Sequence, residues 1–159
     1  MPARENKTET ATAAELQKPV DLGLLPDLIG YQLRRAQLAV FQDYVRSVGE
    51  LTPAQFAALV VIERNLGLSQ TELGQSLGID RSTLVAVIDR LENRGLVERA
   101  DAPRDRRSYA LHISNSGRAL LADLTERVRA HEAYIAGDLS AADRVALIGL
   151  LRRVRRSEA

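Results

Sequence analysis

The stretch from Ser69 to Gly95 constrains the fold more than any other part of the sequence, because it predicts two short helices joined by a tight turn. Ser69 is a suitable N-cap, and Glu72 three residues later completes the capping-box spacing. Gly78 can adopt the left-handed conformation that ends a helix. Asp80 can cap a second helix, in which apolar residues recur at spacings of three and four, namely Leu84, Val87, Ile88 and Leu91. The stretch therefore predicts a helix-turn-helix.

In a helix-turn-helix of the DNA-binding kind, the second helix enters the major groove. The residues outside the apolar stripe of the second helix are mostly small, hydroxyl-bearing or charged. Small side chains allow close approach to base edges, and arginine can contact guanine or phosphate. The candidate DNA contacts in this helix are Arg81, Ser82, Thr83, Val85, Ala86, Asp89 and Arg90. A helical hairpin with a solvated charged face is the alternative, and the helix pair alone does not decide between them.

A β-hairpin is predicted immediately after the second helix. Residues 96–100 have the composition of a short strand, and residues 107–113 alternate in the manner of a second strand. The turn between them, from Asp101 to Arg106, contains Pro103 and is rich in arginine. A basic hairpin tip beside a recognition helix can reach the neighbouring minor groove, whose negative potential attracts arginine. We therefore expect a wing, and this favours DNA binding over a solvated hairpin.

The run LENRGLVERADAPRDRRSYALHIS, followed by NSGRAL, resembles the wing of the MarR family of multiple-antibiotic-resistance regulators. The resemblance extends roughly from residue 24 to residue 154. It implies that Arg107 contacts DNA and that Asp105 holds it in place, since these two residues match the Asp-x-Arg motif of that family. Arg104 and Arg106 are candidate phosphate contacts by their position. Where the family usually has Leu-Thr before the next helix, this chain has Ile-Ser, and serine also caps a helix.

Composition limits the class of protein. The formal net charge of +1 is not that of a nonspecific nucleic-acid coat, so DNA affinity must come from a local cluster such as residues 104–107. The absence of cysteine excludes disulfides, thiolate zinc sites and cysteine redox sensing. No apolar run approaches the roughly 18 residues of a membrane span, and the N-terminus lacks the apolar core of a signal peptide. We expect a cytoplasmic protein with no membrane partner.

Helical patterns on both sides of the winged segment predict a dimer. We assign residues 1–18 to a flexible tail, 52–113 to a winged helix-turn-helix, and 19–50 with 114–157 to dimerisation helices. The last helix is apolar over a wider arc than one neighbouring helix can cover. A homodimer would place two recognition helices about 34–36 Å apart on a pseudo-palindromic site. The predicted fold is mainly α with a small β-hairpin wing.

The sequence offers little for catalysis. It has no glycine-rich phosphate loop, no nucleophile elbow and no His-Glu-x-x-His pair. Its two histidines are His112, on a predicted strand, and His131, on a helical stripe, where a hydrogen-bonded core histidine is the simpler interpretation. A two-histidine metal site with Glu132 or Asp138 is the alternative, but no spacing demands it. We therefore predict no enzyme, no metal site and no required cofactor. A purely structural helical assembly is another alternative, although it does not explain the arginine-rich hairpin tip.

The family resemblance also implies a small-molecule effector, often an aromatic acid or a related compound, that releases a repressor from DNA. The pocket would lie between the winged segment and the dimerisation helices. Arginine beside aromatic side chains can hold a carboxylate or the phosphates of a coenzyme A thioester. The candidate ligand-binding residues are Tyr31, Arg34, Arg35, Phe41, Tyr44, His131 and Tyr134. Alternatively, the aromatic residues belong to the core and Arg34 and Arg35 form ion pairs across the dimer. A ligand-independent regulator or an activator also remains open.

Overall fold

A computed structural model describes residues 20–101 and 109–154 of the chain. The predicted class is confirmed, since most of these residues are helical and the strands form one small antiparallel sheet. The elements, in order, are a 3-10 helix Leu25–Asp27, α1 Ile29–Ser47, α2 Pro53–Arg64, β1 Leu68–Ser69, α3 Gln70–Leu77, α4 Arg81–Asn93, β2 Val97–Asp101, β3 Tyr109–Ile113, α5 Asn115–Ala136 and α6 Ala141–Val154.

The described residues fall into two units, which divide between Gln37 and Leu38. The first unit contains the 3-10 helix and the first turns of α1. Its local structure is held by polar contacts, including a hydrogen bond of 2.6 Å from Gln32 Nε2 to the carbonyl oxygen of Pro26. Its larger apolar side chains are exposed in the single chain.

The second unit contains the helix-turn-helix, and its helices begin where the caps predict. Ser69 and Glu72 form the expected capping box, and Thr52 forms another with Gln55 at the start of α2. Gly78 ends α3 with a φ of 62°, a left-handed conformation that glycine adopts without the clash of a Cβ. These caps satisfy backbone N–H and C=O groups that a helix end leaves unpaired. They therefore fix the turn between α3 and α4 locally.

The sheet has three strands in the order β1-β3-β2, whereas the sequence predicted a two-stranded hairpin. The hairpin is present, with β2 and β3 antiparallel and Val97 paired with Ile113 at its base. The additional strand β1 pairs Leu68 with Leu111 on the other edge of β3. Two residues are too few to show an alternating pattern, so β1 is recognisable only through its hydrogen bonds to β3. It connects the start of α3 to the hairpin.

One apolar core lies between the helix-turn-helix, the sheet, α2 and α5. The predicted stripe of α4 is buried there, which confirms the orientation expected for that helix. Packing is close at Gly117 of α5, where an added Cβ would lie 2.2 Å from the carbonyl oxygen of Leu96. The largest fully buried side chains include Leu59, Ile62, Leu73, Leu84, Ile88, Leu91, Leu111 and Leu124. The core thus holds the opposite face of α4 toward the surface.

By contrast, α6 has no buried residue in the single chain. Its exposed apolar side chains are Val145, Leu147, Ile148, Leu150, Leu151 and Val154. In α1, Phe41 and Val45 of the second unit are likewise exposed, with 49% and 54% of their surface accessible. Contiguous exposed apolar surface of this kind is typical of a protein–protein interface. These faces lie in the segments from which the sequence predicts dimerisation, and that assignment stays a prediction.

Candidate nucleic-acid interface

The N-terminus of α4 is held by Asp80. Its Oδ1 accepts hydrogen bonds from the Ser82 hydroxyl at 2.6 Å and from the Thr83 backbone N–H at 2.9 Å. These bonds, that of Ser82 first, hold the pKa of the Asp80 carboxyl far below its usual range. The carboxylate therefore stays charged at the positive end of the helix, where it stabilises the first turn.

The solvent-facing side of α4 agrees in position with the predicted DNA-contacting face. Six of the seven candidate residues are exposed, namely Arg81, Ser82, Thr83, Val85, Ala86 and Arg90. Ser82 differs from the others in that its hydroxyl donates to Asp80, so that proton is already used within the cap. The opposite side of the helix is buried in the core, so the exposed side is presented in a single orientation.

The seventh candidate, Asp89, is half-buried and forms an ion pair that sequence analysis did not foresee. Arg99 of β2 donates to Asp89 Oδ1 at 2.6 Å and to Glu92 Oε2 at 2.5 Å. The Arg99 side chain is only 23% exposed, so this double contact is partly shielded from water. The Asp89 carboxylate is thus occupied within the protein, and its use as a DNA contact stays a prediction. The contact connects α4 directly to the first strand of the hairpin.

A groove of about 510 Å³ lies along the exposed side of the helix-turn-helix. It is lined by Ser69, Gln70, Thr71, Gly74, Gln75, Ile79, Arg81, Leu84, Val85 and Tyr109. Sequence analysis did not single out Gln70, Thr71, Gln75 or Tyr109. The sequence signal that could have identified the residues at the start of α3 was the capping box at Ser69, which marks a helix N-terminus. The N–H groups and dipole of a helix N-terminus favour an anion such as phosphate. Tyr109 becomes a groove residue only because β3 pairs with β1.

The four predicted wing contacts, Arg104, Asp105, Arg106 and Arg107, lie outside the described residues. The structure does describe the strand ends next to the turn, where Asp101 pairs with Tyr109. Tyr109 is 57% exposed and lines the groove together with Arg81. The turn end of β3 and the N-terminal half of α4 therefore border the same groove.

The candidate effector residues of the first unit are exposed or half-buried on α1. Arg34 and Arg35 are exposed, and the Arg35 guanidinium carbon lies 5.9 Å from the centre of the half-buried Tyr31 ring. This distance is within the range of a cation–π interaction. Among residues 20–101 and 109–154, neither arginine forms an intrachain ion pair. Both guanidinium groups are thus accessible in the single chain.

The candidates of the second unit divide between core and surface. His131 is 3% exposed, and its Nδ1–H donates to Asp43 Oδ2 at 2.7 Å, so it is a hydrogen-bonded core histidine. Tyr44 is also buried and meets the His131 ring edge-on, with ring centres 5.5 Å apart. Phe41 and Tyr134 are exposed. The histidine therefore fits the simpler of its two interpretations.

The Tyr44 hydroxyl has no hydrogen-bond partner in the described part of the chain, and burial raises the pKa of that hydroxyl.

No group of three potential metal ligands occurs within residues 20–101 and 109–154. Within the same ranges, no helix is long and apolar enough to cross a membrane.

The buried stripe of α4, its exposed polar face and the adjoining hairpin define a winged helix-turn-helix protein of the DNA-binding class. A sequence model of the MarR family matches residues 50–108. A putative transcriptional regulatory protein for the hcr operon of Thauera aromatica is 37% identical over 139 residues, which are 86% of this chain and 84% of that protein. The chain belongs to the MarR family.

Solved structures show the same relationship. The transcriptional repressor CouR bound to a 23-mer DNA duplex is 42% identical, with a TM-score of 0.83 over 87% of this chain and all of that one. CouR bound to p-coumaroyl-CoA is 40% identical, with a TM-score of 0.80 over 87% of this chain and 99% of that one. The protein is accordingly a DNA-binding transcriptional regulator and not an enzyme. MarR proteins are dimers, and relatives of this chain bind small-molecule effectors.

Proposed function

We propose that the protein is a homodimeric repressor that binds a pseudo-palindromic operator and leaves it when a small aromatic effector binds. The observation that carries this proposal is the fixed orientation of α4, whose apolar stripe is buried while its candidate DNA contacts, apart from the half-buried Asp89, face solvent. The likeness to CouR, a repressor solved on DNA, supports it. We expect the protein to act in the cytoplasm, since its relatives are bacterial regulators and bacterial DNA lies there.

In this proposal α4 enters the major groove with Arg81, Ser82, Thr83, Val85, Ala86 and Arg90 toward DNA, while Asp89 holds Arg99. The wing follows the backbone into the adjacent minor groove, with Arg107 as the principal contact and Asp105 orienting it. Arg104 and Arg106 bind phosphates. Because the net charge of the chain is small, these local arginines supply most of the electrostatic attraction.

The dimer is proposed to form through residues 19–50 and 114–157, with the winged segment at 52–113 left free for DNA. The exposed apolar side chains of α6 and of α1 support this division. Burying them against a second copy would remove apolar surface from water, which is the main favourable term in association. A two-fold axis would then relate the two recognition helices.

For the effector we propose an aromatic acid or an aromatic coenzyme A thioester. CouR, 40% identical, has been solved with p-coumaroyl-CoA, and the accessible guanidinium groups of Arg34 and Arg35 suit phosphate or carboxylate. Tyr31, Phe41 and Tyr134 would contact the aromatic part, while the buried Tyr44 and His131 would respond through the packing of α1 on α5. The effector lowers operator affinity by the difference between its affinities for the two forms of the dimer.

The test is a gel-shift titration with the DNA upstream of the gene, at salt concentrations from about 50 to 200 mM. Tight binding that weakens steeply with salt is expected, because phosphate contacts release counterions. Addition of p-coumaroyl-CoA, with coenzyme A and p-coumarate as separate controls, then tests release. Binding no tighter than to random DNA, followed by failure of a random-sequence selection, would contradict the DNA-binding proposal. Specific binding that none of these compounds changes would favour a ligand-independent regulator.

Two alternatives give different results in the same experiments. An activator would bind the same DNA, but deletion of its gene would lower rather than raise expression of the neighbouring genes. A helical assembly protein would show no salt-dependent DNA binding, since it has no counterions to release.

A further inference from the structure

The exposed face of α4 contains fewer free polar groups than its sequence implies. The Ser82 hydroxyl donates to Asp80 at 2.6 Å, and the Asp89 carboxylate accepts from Arg99 at 2.6 Å. Both groups are thereby committed to holding α4 in place. Since the Ser82 hydroxyl keeps only its acceptor capacity, direct recognition of bases depends mostly on the other exposed side chains of α4.

Within α4, all of whose residues the structure describes, Val85 is the one large hydrophobic side chain that is exposed, at 37%. It does not belong to the buried stripe formed by Leu84, Val87, Ile88 and Leu91. It lines the groove that Arg81 also lines. A branched apolar side chain on a DNA-facing surface has one complementary partner among the base edges of the major groove, the 5-methyl group of thymine.

Arg81 and Val85 both line the groove, and they are also neighbours on one face of α4. Residues four apart in a helix are neighbours on one face, with Cβ atoms about 5–6 Å apart. Arg81 is exposed in the first turn of α4, the end that contacts base edges in helix-turn-helix proteins. Its guanidinium can donate two parallel hydrogen bonds to guanine O6 and N7. A spacing of about 5–6 Å corresponds to one or two base-pair steps of about 3.4 Å each.

We propose that Val85 and Arg81 determine the sequence specificity of this regulator, with Val85 contacting a thymine methyl group and Arg81 contacting a guanine one or two base pairs away in each half-site. This inference rests on the proposed placement of α4 in the major groove. It goes further by assigning a base to each of two side chains and by predicting a guanine and a thymine close together in the operator.

The experiment starts from a random-sequence DNA pool, from which the full-length protein selects its preferred site. In a duplex carrying that site, each thymine is replaced in turn by deoxyuridine, which lacks only the methyl group. In each half-site, one of these single replacements is expected to weaken binding about fourfold, which is the effect of losing one buried methyl group. Replacing each guanine by 7-deazaguanine, which lacks the N7 acceptor, is expected to weaken binding about fivefold or more at a position within two base pairs.

Protein variants then assign the contacts. In V85A, the thymine and uracil duplexes are expected to bind equally well, and in R81Q the guanine and 7-deazaguanine duplexes are expected to do so. L66A is the matched control, because Leu66 is an apolar side chain that is 85% exposed and lies outside α4. It should retain both base preferences. If V85A fails to fold, the deoxyuridine scan of the unaltered protein still tests the assignment.

The outcomes separate this inference from the proposed function. If selection enriches no sequence, the DNA-binding proposal fails and the inference fails with it. If a site is enriched but no deoxyuridine replacement changes the affinity, Val85 does not contact thymine and the inference alone is overturned. The same conclusion follows if V85A keeps the preference for thymine over uracil, or if the sensitive guanine and thymine lie more than two base pairs apart.

Discussion

The carboxylate of Asp43 in α1 accepts a hydrogen bond of 2.7 Å from Nδ1 of His131 in α5, and both side chains are buried. Arg46 also donates to this carboxylate, at 2.5 Å. The pair joins α1 to α5 at a point where each residue would be costly to bury alone, because an unpaired charge or polar group in the core loses its hydration. The hydrogen bond from His131, and after it that from Arg46, lowers the pKa of Asp43.

The lowered pKa of Asp43 predicts a dependence of stability on pH. The carboxyl group has a higher pKa in the unfolded chain, about 3.9. Its contribution to stability is therefore complete above that value and is lost as the pH falls through the folded-state pKa. We expect Asp43→Asn to lower the melting temperature at pH 6, and the difference from the wild type to shrink below about pH 4. Thermal denaturation followed by circular dichroism measures both.

Arg46→Gln is the matched control, since the Arg46 side chain is 72% exposed and its guanidinium group is accessible to water. It should lower the melting temperature much less than Asp43→Asn, because water screens the exposed guanidinium and His131 still donates to the carboxylate. A pH-independent difference between the wild type and Asp43→Asn would contradict the account of the pair as an ionised carboxylate that accepts from histidine.

A second prediction concerns the ion pairs between Arg99 and the two acidic residues of α4. Arg99→Gln should leave the helical content unchanged but weaken operator binding about tenfold, roughly 1.4 kcal/mol. The reason is that β2, and with it the wing, loses its direct polar connection to α4. Fluorescence anisotropy with a labelled operator measures the change.

The control for this variant is Arg94→Gln, which removes an ion pair between Arg94 and Glu50 that does not involve the hairpin. Its operator affinity should stay within about twofold, as exposed pairs contribute at most about 1 kcal/mol to stability. Equal affinities for the Arg99 and Arg94 variants would show that the contact between β2 and α4 has no part in positioning the wing.

The family resemblance predicts that Arg107→Ala weakens operator binding strongly, by about tenfold or more, while the dimer stays folded. Because each protomer of the dimer loses one phosphate or minor-groove contact, the slope of log affinity against log salt should fall by about two. Affinity measurements at four salt concentrations, with size-exclusion chromatography to check the dimer, provide the test. An unchanged affinity would remove Arg107 from the mechanism.

Arg34 and Arg35 are predicted to serve effector binding and not DNA binding. The double variant Arg34→Ala/Arg35→Ala should bind the operator with nearly wild-type affinity but require a much higher concentration of p-coumaroyl-CoA, or of the effector found by screening, for release. The physical reason is the loss of two charge-assisted contacts to phosphate or carboxylate. A double variant that still responds fully to effector would exclude these residues from the pocket. A variant that no longer dimerises would favour ion pairs across the dimer instead.

Gly117 is predicted to be essential for packing. A Cβ at this position would lie 2.2 Å from the Leu96 carbonyl oxygen and 2.8 Å from Ile113 Cγ1, and the former contact is with rigid backbone. Gly117→Ala should therefore destabilise the fold by roughly 2 kcal/mol or more in urea denaturation. Arg118→Ala, an exposed neighbour on the same helix, should stay within about 0.5 kcal/mol of the wild type. Similar stabilities for the two variants would contradict the close approach of α5 to the loop before β2.

Much of the helix-turn-helix was predictable because its signals are local. The N-cap residues Ser69 and Asp80 bond to groups within three residues, so a short window of sequence contains the whole interaction. The left-handed Gly78 and the buried stripe of α4 follow in the same way from single positions and a regular spacing. The wing motif also indicated the MarR family, and the matches to the sequence model of that family and to its relatives confirmed this.

The remaining features depended on residues far apart in the chain. Strand β1 exists because Leu68 meets Leu111, and Asp89 became a partner of Arg99 because the hairpin folds back onto α4. His131 was identified as one of two possibilities, and its contact with Asp43, 88 positions earlier, decided between them. By itself, then, the sequence determined where α3 and α4 begin and end and which face of α4 is apolar. The tertiary structure alone decided which polar side chains far apart in the chain are engaged with one another, because a hydrogen bond or an ion pair requires two groups within about 3 Å, and no local pattern specifies that distance for distant residues.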